Sequence, residues 1–429
     1  MRIISVQNVE TTIESVRSKA VQETESNRNQ VQHIINDVRE NGDKAVKYWD
    51  KKFSKIPSKA DYNLRISRSE IKTAYSKVTK GQIAAIKLAK KRLEKSEFSL
   101  KNNLKKIKPI MDGIKITKTF VPLESVGCYI PGGIAKYPST AIMSIVPAKV
   151  AGIKRIVAVS PPNSDSTVDP LVLVASDICG VDEFYRTGGP QAVAALAYGI
   201  ESIKKVDKIV GPGGTNVTIA KSIVSDQVSI DMVAGPTELA IIADNSADSD
   251  IVASDLISQA EHGPNSMCCL ITTSKKLAES VNNSLEEKIP RIERSDYVRA
   301  SLEDRGFIAI CKTEANIIEF ANKLAPEHLQ IITKNPKTIA QKIISAGLVL
   351  VGRDTPSSAS DYLLGSNHIL PTNGFAKSRS SLGVLDFMKI RTQLETSQKE
   401  LRRISKHMKI LTNAEGLPNH YKAVWNRLK

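Results

Sequence analysis

Arg155-Ile156-Val157-Ala158-Val159 is a short β-branched run, and a helix-forming interval separates it from the next such run, Glu183-Phe184-Tyr185-Arg186. That alternation decides the fold, because short strands spaced by amphipathic helices give a parallel sheet covered by helices. The texture begins near Phe120 and repeats at Lys208 to Val210, Leu239 to Ala243, Met267 to Thr272, Phe307 to Cys311, Leu329 to Ile332 and Leu348 to Val351. Eight strands exceed one half of a doubly wound sheet. Two such units are expected, one around Tyr129 to Met232 and another from Glu238 to about Gly352.

On the amino-terminal side, Val6 to Asn41 and Arg68 to Leu100 carry apolar residues at three- and four-residue spacing between charges, so the lead-in is expected to be helical and to complete the second unit. On the carboxyl-terminal side, the tail from Ser381 reads as helical and basic and ends in a small element around Asn413 to Lys429. The start, Met1-Arg2-Ile3-Ile4, runs into helix-forming sequence without the continuous apolar core of a secretory signal. The longest apolar stretch, Thr140 to Ser160, is broken by Lys149, Lys154 and Arg155, so no membrane span is expected.

The 429 residues carry a net charge of +16, which raises the question of nucleic acid. The lysines are scattered along helical stretches such as Ile86 to Lys108, without the aromatic interleaving that stacks bases, so a solvated basic face is the expectation and no nucleic-acid partner. Five cysteines, Cys128, Cys179, Cys268, Cys269 and Cys311, are odd in number and lack C-x-x-C spacing. Neither a disulfide framework nor a zinc ribbon is indicated, and a reducing cytoplasm is the simplest inference.

Three glycine-rich turns stand where strands hand over to helices: Pro131-Gly132-Gly133, Gly188-Gly189-Pro190-Gln191 and Gly211-Pro212-Gly213-Gly214. Such turns let backbone amides and a helix amino terminus approach an anion. None is the G-x-G-x-x-G fingerprint. Pro190 suits a first helical position and leaves Gln191 in the first turn with its amide free for a ligand.

The chain has six histidines, and His262, His328, His368 and His420 fall in distinctive stretches. In Asp255 to Pro264, a helix stopped by Gly263-Pro264 places Gln259 and His262 three apart on one face, where both can reach one metal ion. Pro326 ends the helix before Glu327-His328, which presents two proton-handling groups side by side, and an imidazole titrating near neutrality suits proton abstraction. Asp361, in Ser360 to Gly365, is expected at the carboxyl edge of the Leu348 to Val351 strand, where open α/β sheets bind ligands.

Taken together these stretches resemble histidinol dehydrogenases. The matching segments are Val126 to Gly133, Gly188 to Gly199, Ile230 to Glu238, Asp255 to Gly263, Ala325 to Leu329, Asp361 to Thr372 and Glu415 to His420, in the family's order. The resemblance implies an α/β fold of two Rossmann-like doubly wound parallel-sheet domains, with a helical N-terminal lead-in and a small C-terminal helical domain. Its expected division is an arm over residues 1–25, one domain over 26–128 plus 237–380 carrying zinc and catalytic residues, a second over 129–236 for NAD, and a tail over 381–429. It further implies oxidation of L-histidinol to L-histidine through an aldehyde, with two NAD reduced.

Carried over by position, Gln259, His262, Asp361 and His420 would bind one zinc ion per subunit. His328 would be the base and Glu327 would activate water for the second oxidation. Tyr129 and Gln191 match cofactor-contacting positions. Thr237, where serine is more usual, and Glu415 match substrate-contacting positions, as do His328 and the four zinc residues. The resemblance also implies a cytoplasmic homodimer in which the tail of one subunit completes the site of the other. Gly214 stands where the family usually has asparagine, with Asn216 two residues on, and Ser360 replaces a usual glycine. A relative oxidising another small alcohol, such as a sulfonated propanediol, is the alternative within the same fold.

Overall fold

The computed structural model describes residues 1–17, 25–104, 107–111, 113–132 and 136–429. In chain order its strands are β1 (Arg2–Ser5), β2 (Ile110–Met111), β3 (Ile114–Pro122), β4 (Ser125–Tyr129), β5 (Arg155–Ser160), β6 (Glu183–Arg186), β7 (Lys208–Val210), β8 (Ser229–Ile230), β9 (Glu238–Ala243), β10 (Met267–Thr272), β11 (Phe307–Ile310), β12 (His328–Ile332), β13 (Leu348–Val351) and β14 (Met388–Glu395). Helices fill most of the intervals.

Two parallel sheets form the frame, ordered β6-β5-β4-β7-β8 and β1-β11-β10-β9-β12-β13. Counted from its own first strand, each of β4–β8 and β9–β13 runs 3-2-1-4-5, the strand order of a doubly wound nucleotide-binding half. The apolar runs become strands because both faces of each sheet are covered: every residue of β9 and β10 is buried. Gly127 in β4 has a packing reason, since a Cβ there would lie 2.9 Å from Leu196 Cδ1 in the covering helix Gly189–Tyr198.

Several expectations are corrected. The lead-in does not open as a helix: Arg2–Ser5 pairs in parallel with Phe307–Ile310 at the edge of the six-stranded sheet. Its described helices are Val9–Arg17 and Glu25–Ser54, the latter kinked at Gly42, φ 53°, and the Arg68 to Leu100 stretch forms Arg68–Ser76 and Lys80–Asn102, each begun by a capping box on Ser67 and Thr79. These later helices do not complete the β9–β13 unit. Val31, Ile34, Ile35, Val38, Val46 and Trp49 share a core with Ala192 to Ala197, and Ile71, Ile86 and Leu93 share one with the helices Pro138–Ala151 and Pro170–Cys179. The cause is the apolar helix Gly189–Tyr198, buried from Pro190 to Ala197, which needs a cover on its outer side.

The tail is not wholly helical either. Met388–Glu395 pairs antiparallel with Lys115–Pro122 of β3. Met388, Ile390, Thr392 and Leu394 alternate there with Lys389, Arg391, Gln393 and Glu395, a period of two that the charges had masked. The helices Gln398–Ala414 and Pro418–Trp425 follow.

Candidate active site

Glu238 and His328 open β9 and β12, which lie side by side with His328 opposite Leu239. Both therefore sit at the amino edge of the six-stranded sheet, where the helix Ser249–Ala260 also returns before β10. The helix Glu314–Leu324 ends with Ala325 in the left-handed region, φ 46°, and Pro326 then turns the chain straight into β12. Asp361 joins this edge, not the carboxyl edge: its Oδ1 lies 3.4 Å from His328 Nε2. Gly352, at φ 94°, lets the chain turn after β13, and the short helix Ser357–Ser360 carries Asp361 back. Ser360 fits where glycine is usual, its hydroxyl donating to the Ser357 carbonyl at 2.6 Å.

A chain of hydrogen bonds organises the cluster. Gln259 Nε2 donates to Thr237 Oγ1 at 2.5 Å, and Thr237 Oγ1 donates to Glu327 Oε2 at 2.5 Å. The same carboxylate oxygen accepts from the Glu238 amide at 2.7 Å, so Glu327 is held as an acceptor by two donors. His328 Nδ1 meets two acceptors, the Glu238 carbonyl oxygen at 3.2 Å and Glu327 Oε2 at 3.7 Å. Neither oxygen can donate, so Nδ1 carries a proton and Nε2 is the nitrogen at which a second one is gained or lost. His328 Nε2 and Asp361 Oδ1 are both buried without a hydrogen-bond partner, facing each other. Two such groups call for a proton, a hydroxyl or a cation between them.

The electrostatics depart from an imidazole titrating near neutrality. Burial disfavours the charged form of His328, but the Glu327 and Asp361 carboxylates outweigh it and push the imidazole up to about 10. Burial likewise works against Asp361, and the His328, His368 and His262 imidazoles hold it below the usual carboxylate range. His368 accompanies the site, its Nδ1 at 2.8 Å from the Asp361 carbonyl and its Nε2 at 3.5 Å from Thr140 Oγ1. Thr140 is in the first turn of the helix Pro138–Ala151, which follows the first glycine turn, so the cluster abuts the neighbouring α/β unit there. His262 lies two residues past the helix end rather than on its face, and its amide donates to the Gln259 carbonyl at 3.3 Å.

Tyr129 and Gln191 meet on the second glycine turn, at the carboxyl edge of the five-stranded sheet. The Gly189 amide donates to the Tyr129 hydroxyl at 2.9 Å, and burial pushes that phenol up to about 12. The third turn is set by a buried ion pair: Lys221 Nζ reaches both Asp231 Oδ1 and, at 2.9 Å, the Gly211 carbonyl, while the Gly211 amide donates to Asp231 Oδ2 at 2.8 Å. Gly211, at φ 113°, admits no side chain, because a Cβ would lie 2.1 Å from the Tyr129 carbonyl oxygen. Gly133 of the first turn lies outside the described residues.

Glu415 and His420 are not brought to this cluster. Both are exposed on the tail. Among the described residues no group of three or more His, Cys, Asp or Glu is placed to hold a metal ion. Within one chain, the expected zinc set contributes Gln259, whose Nε2 bond to Thr237 leaves Oε1 as its other end, the exposed His262 and the partnerless Asp361 oxygen. These are nitrogen and oxygen donors of the kind zinc takes, one short of a tetrahedral set. Sequence reading missed Glu238, buried and held by the Asn373 amide at 3.0 Å with Arg17 at 3.7 Å, whose Oε2 accepts from the Glu327 amide at 3.2 Å. A charge opening a fully apolar strand was its available signal.

A doubly wound α/β frame with a buried carboxylate and imidazole at one sheet edge and glycine-rich turns at another is an enzyme-like arrangement, and comparison with known proteins gives it a class and a family. The family model for histidinol dehydrogenase matches residues 17–428. The histidinol dehydrogenase of Methanocaldococcus jannaschii is 43% identical over 402 residues, covering 93% of this chain and 92% of its own. That of Clostridium acetobutylicum is 41% identical over 399 residues, with the same coverage. The crystal structure of histidinol dehydrogenase from Elizabethkingia anophelis superposes with a TM-score of 0.94 at 34% identity, covering 100% of this chain and 98% of that one. The chain belongs to the histidinol dehydrogenase family and is an NAD-dependent oxidoreductase.

Proposed function

We propose that this chain oxidises L-histidinol to L-histidine through L-histidinaldehyde, reducing two NAD. The observation that carries the reading is the Glu327–His328 pair, with His328 Nε2 buried and facing Asp361. The Glu327 and Asp361 carboxylates by themselves hold a proton on His328; with a cation offsetting Asp361, His328 Nε2 would be free to take the alcohol proton as hydride leaves for the nicotinamide ring. Glu327, beside it and held by Thr237 and the Glu238 amide, then takes a proton from the water that adds to the aldehyde. The hydrate gives its hydride to the second NAD, so the two groups serve two different deprotonations, of the alcohol and of the added water. Tyr129 and Gln191 contact NAD, and Thr237, Gln259, His262, His328 and Asp361 contact the substrate.

Gln259, His262 and Asp361, with His420 of a second copy, would hold one zinc ion per subunit. When bound, that ion fixes the substrate's amine and imidazole and polarises its reacting end. A homodimer is part of the same reading. The helix Gln398–Ala414 buries only Glu400 and Thr412, and Ile410, Leu411, Leu417 and Trp425 are left exposed around Glu415 and His420. Such a surface suits a tail that lies on the other subunit. The five cysteines are free and buried, which agrees with a cytoplasmic location. No described helix is long and apolar enough to cross a membrane.

The test is NADH formation from L-histidinol, about two per substrate, abolished by chelation and restored by zinc. No NADH from L-histidinol, with turnover of another small alcohol, would favour the alternative substrate. His328→Asn should lower the first oxidation by roughly a hundredfold or more, and Glu327→Gln should spare oxidation of the alcohol relative to that of the aldehyde.

A further inference from the structure

Beneath the second glycine turn lies a carboxylate that the reaction does not use. Asp50, near the end of the helix Glu25–Ser54, is 1% exposed. Its Oδ1 accepts three hydrogen bonds, all from the turn: Gln191 Nε2 at 2.8 Å, Thr187 Oγ1 at 3.2 Å and the Gly188 amide at 3.3 Å. Oδ2 is buried without a partner, so the useful acceptor is Oδ1 alone.

A side-chain amide can be turned either way by exchanging its two ends, and a carboxylate can accept only from the NH2 end. Asp50 therefore fixes Gln191 with Nε2 inward and Oε1 as the free end. That oxygen is buried, has no hydrogen-bond partner, and stands 2.7 Å from where a Cβ on Gly189 would be. Gly189, at φ 61°, leaves the space open. The amide of the same residue is tied to the Tyr129 hydroxyl, so both proposed cofactor residues and Asp50 converge on one turn.

We propose that Asp50 is a positioning residue for the dinucleotide: it presents Gln191 to NAD as a hydrogen-bond acceptor, to be met by a donor on the cofactor, a ribose hydroxyl or the carboxamide N–H. The proposal rests on the NAD reading given above. It explains why a carboxylate is buried under this turn although it touches no reacting atom, and why the Gln191 oxygen there lies unpaired. That oxygen is the atom left for the ligand.

The experiment compares Asp50→Leu, which removes the acceptor at similar size, with Asp50→Asn, which keeps Oδ1. In the full-length zinc-loaded enzyme, Asp50→Leu should raise KM for NAD roughly tenfold, the worth of one well-placed hydrogen bond. The kcat at saturating NAD and the KM for L-histidinol should stay unchanged, and Asp50→Asn should restore the wild-type KM for NAD. If Asp50→Leu does not fold, Asp50→Ala is read in the same way. A KM for NAD that is unchanged in the apolar variant, or raised equally in Asp50→Asn, overturns the proposal and leaves Asp50 a packing element. Titration of the wild-type protein with NAD and NADH separates the two failures. No binding to wild type sinks the NAD reading itself, whereas binding to wild type with no loss in the apolar variant sinks only the role of Asp50.

Discussion

At the scale of single residues, the departure at Gly214 is the most informative. Gly214 caps the helix Thr215–Ile223 at φ −65°, a conformation open to any residue, and a Cβ there meets nothing within 4 Å. Gly214→Asn should therefore be accepted without strain and should stabilise the helix start by a few tenths of a kcal/mol. If the side chain at this position reaches the cofactor, KM for NAD falls in the variant, while an unchanged KM assigns no contact to it. Glu238 makes a second prediction. Burial, opposed by Arg17, raises its carboxyl from the ordinary value of 4.5 to about 7. The unfolded chain then releases this proton at lower pH than the folded one, so stability is full below about 4.5, is lost as pH rises towards 7, and is level above that. Melting curves should show Glu238→Gln losing less stability than wild type between pH 5 and 8, by on the order of 2 kcal/mol; parallel losses would refute the shift.

Elements show how far sequence reading reaches. All eight strands expected from Arg155 to Val351 are present, because β-branched runs covered on both faces leave an unambiguous mark. β1 and β14 were hidden for the opposite reason. Their burial patterns are mostly intermediate or exposed, so charges interrupt them and only a partner far along the chain makes them strands. The site was legible as residue types: Glu327, His328, Gln259 and Asp361 were all singled out. Its place was not, since the backward course from Gly352 to Asp361 depends on tertiary packing. The Lys221–Asp231 pair belongs to this scale, for it joins the helix Thr215–Ile223 to the end of β8. Lys221→Met should destabilise the protein by about 3 kcal/mol or more, by leaving Asp231 buried and uncompensated. The double variant Lys221→Met with Asp231→Asn should recover part of that loss in denaturant unfolding. No recovery would mean the pair acts through something other than its charges.

For the whole molecule, the exposed Glu415 and His420 set the main question, since a site divided between subunits makes a distinctive prediction. His328→Asn and His420→Ala should each be inactive alone. Mixed after unfolding and refolding together, they should regain about a quarter of wild-type activity, because half the dimers would be hybrids with one intact site. Absence of complementation in hybrids shown to form would place each site within one chain.

The pairing of β1 with β11 has a consequence for biosynthesis. About three hundred residues separate Arg2 from Phe307, so on the ribosome the first strand emerges long before its neighbour exists. Until then the starting segment is an unplaced ribbon, free to pair with any other extended chain. A bulky fusion at the amino terminus, or loss of Arg2 to Ser5, should thus show itself less in the purified enzyme's turnover than in its yield, as nascent chains pair with one another.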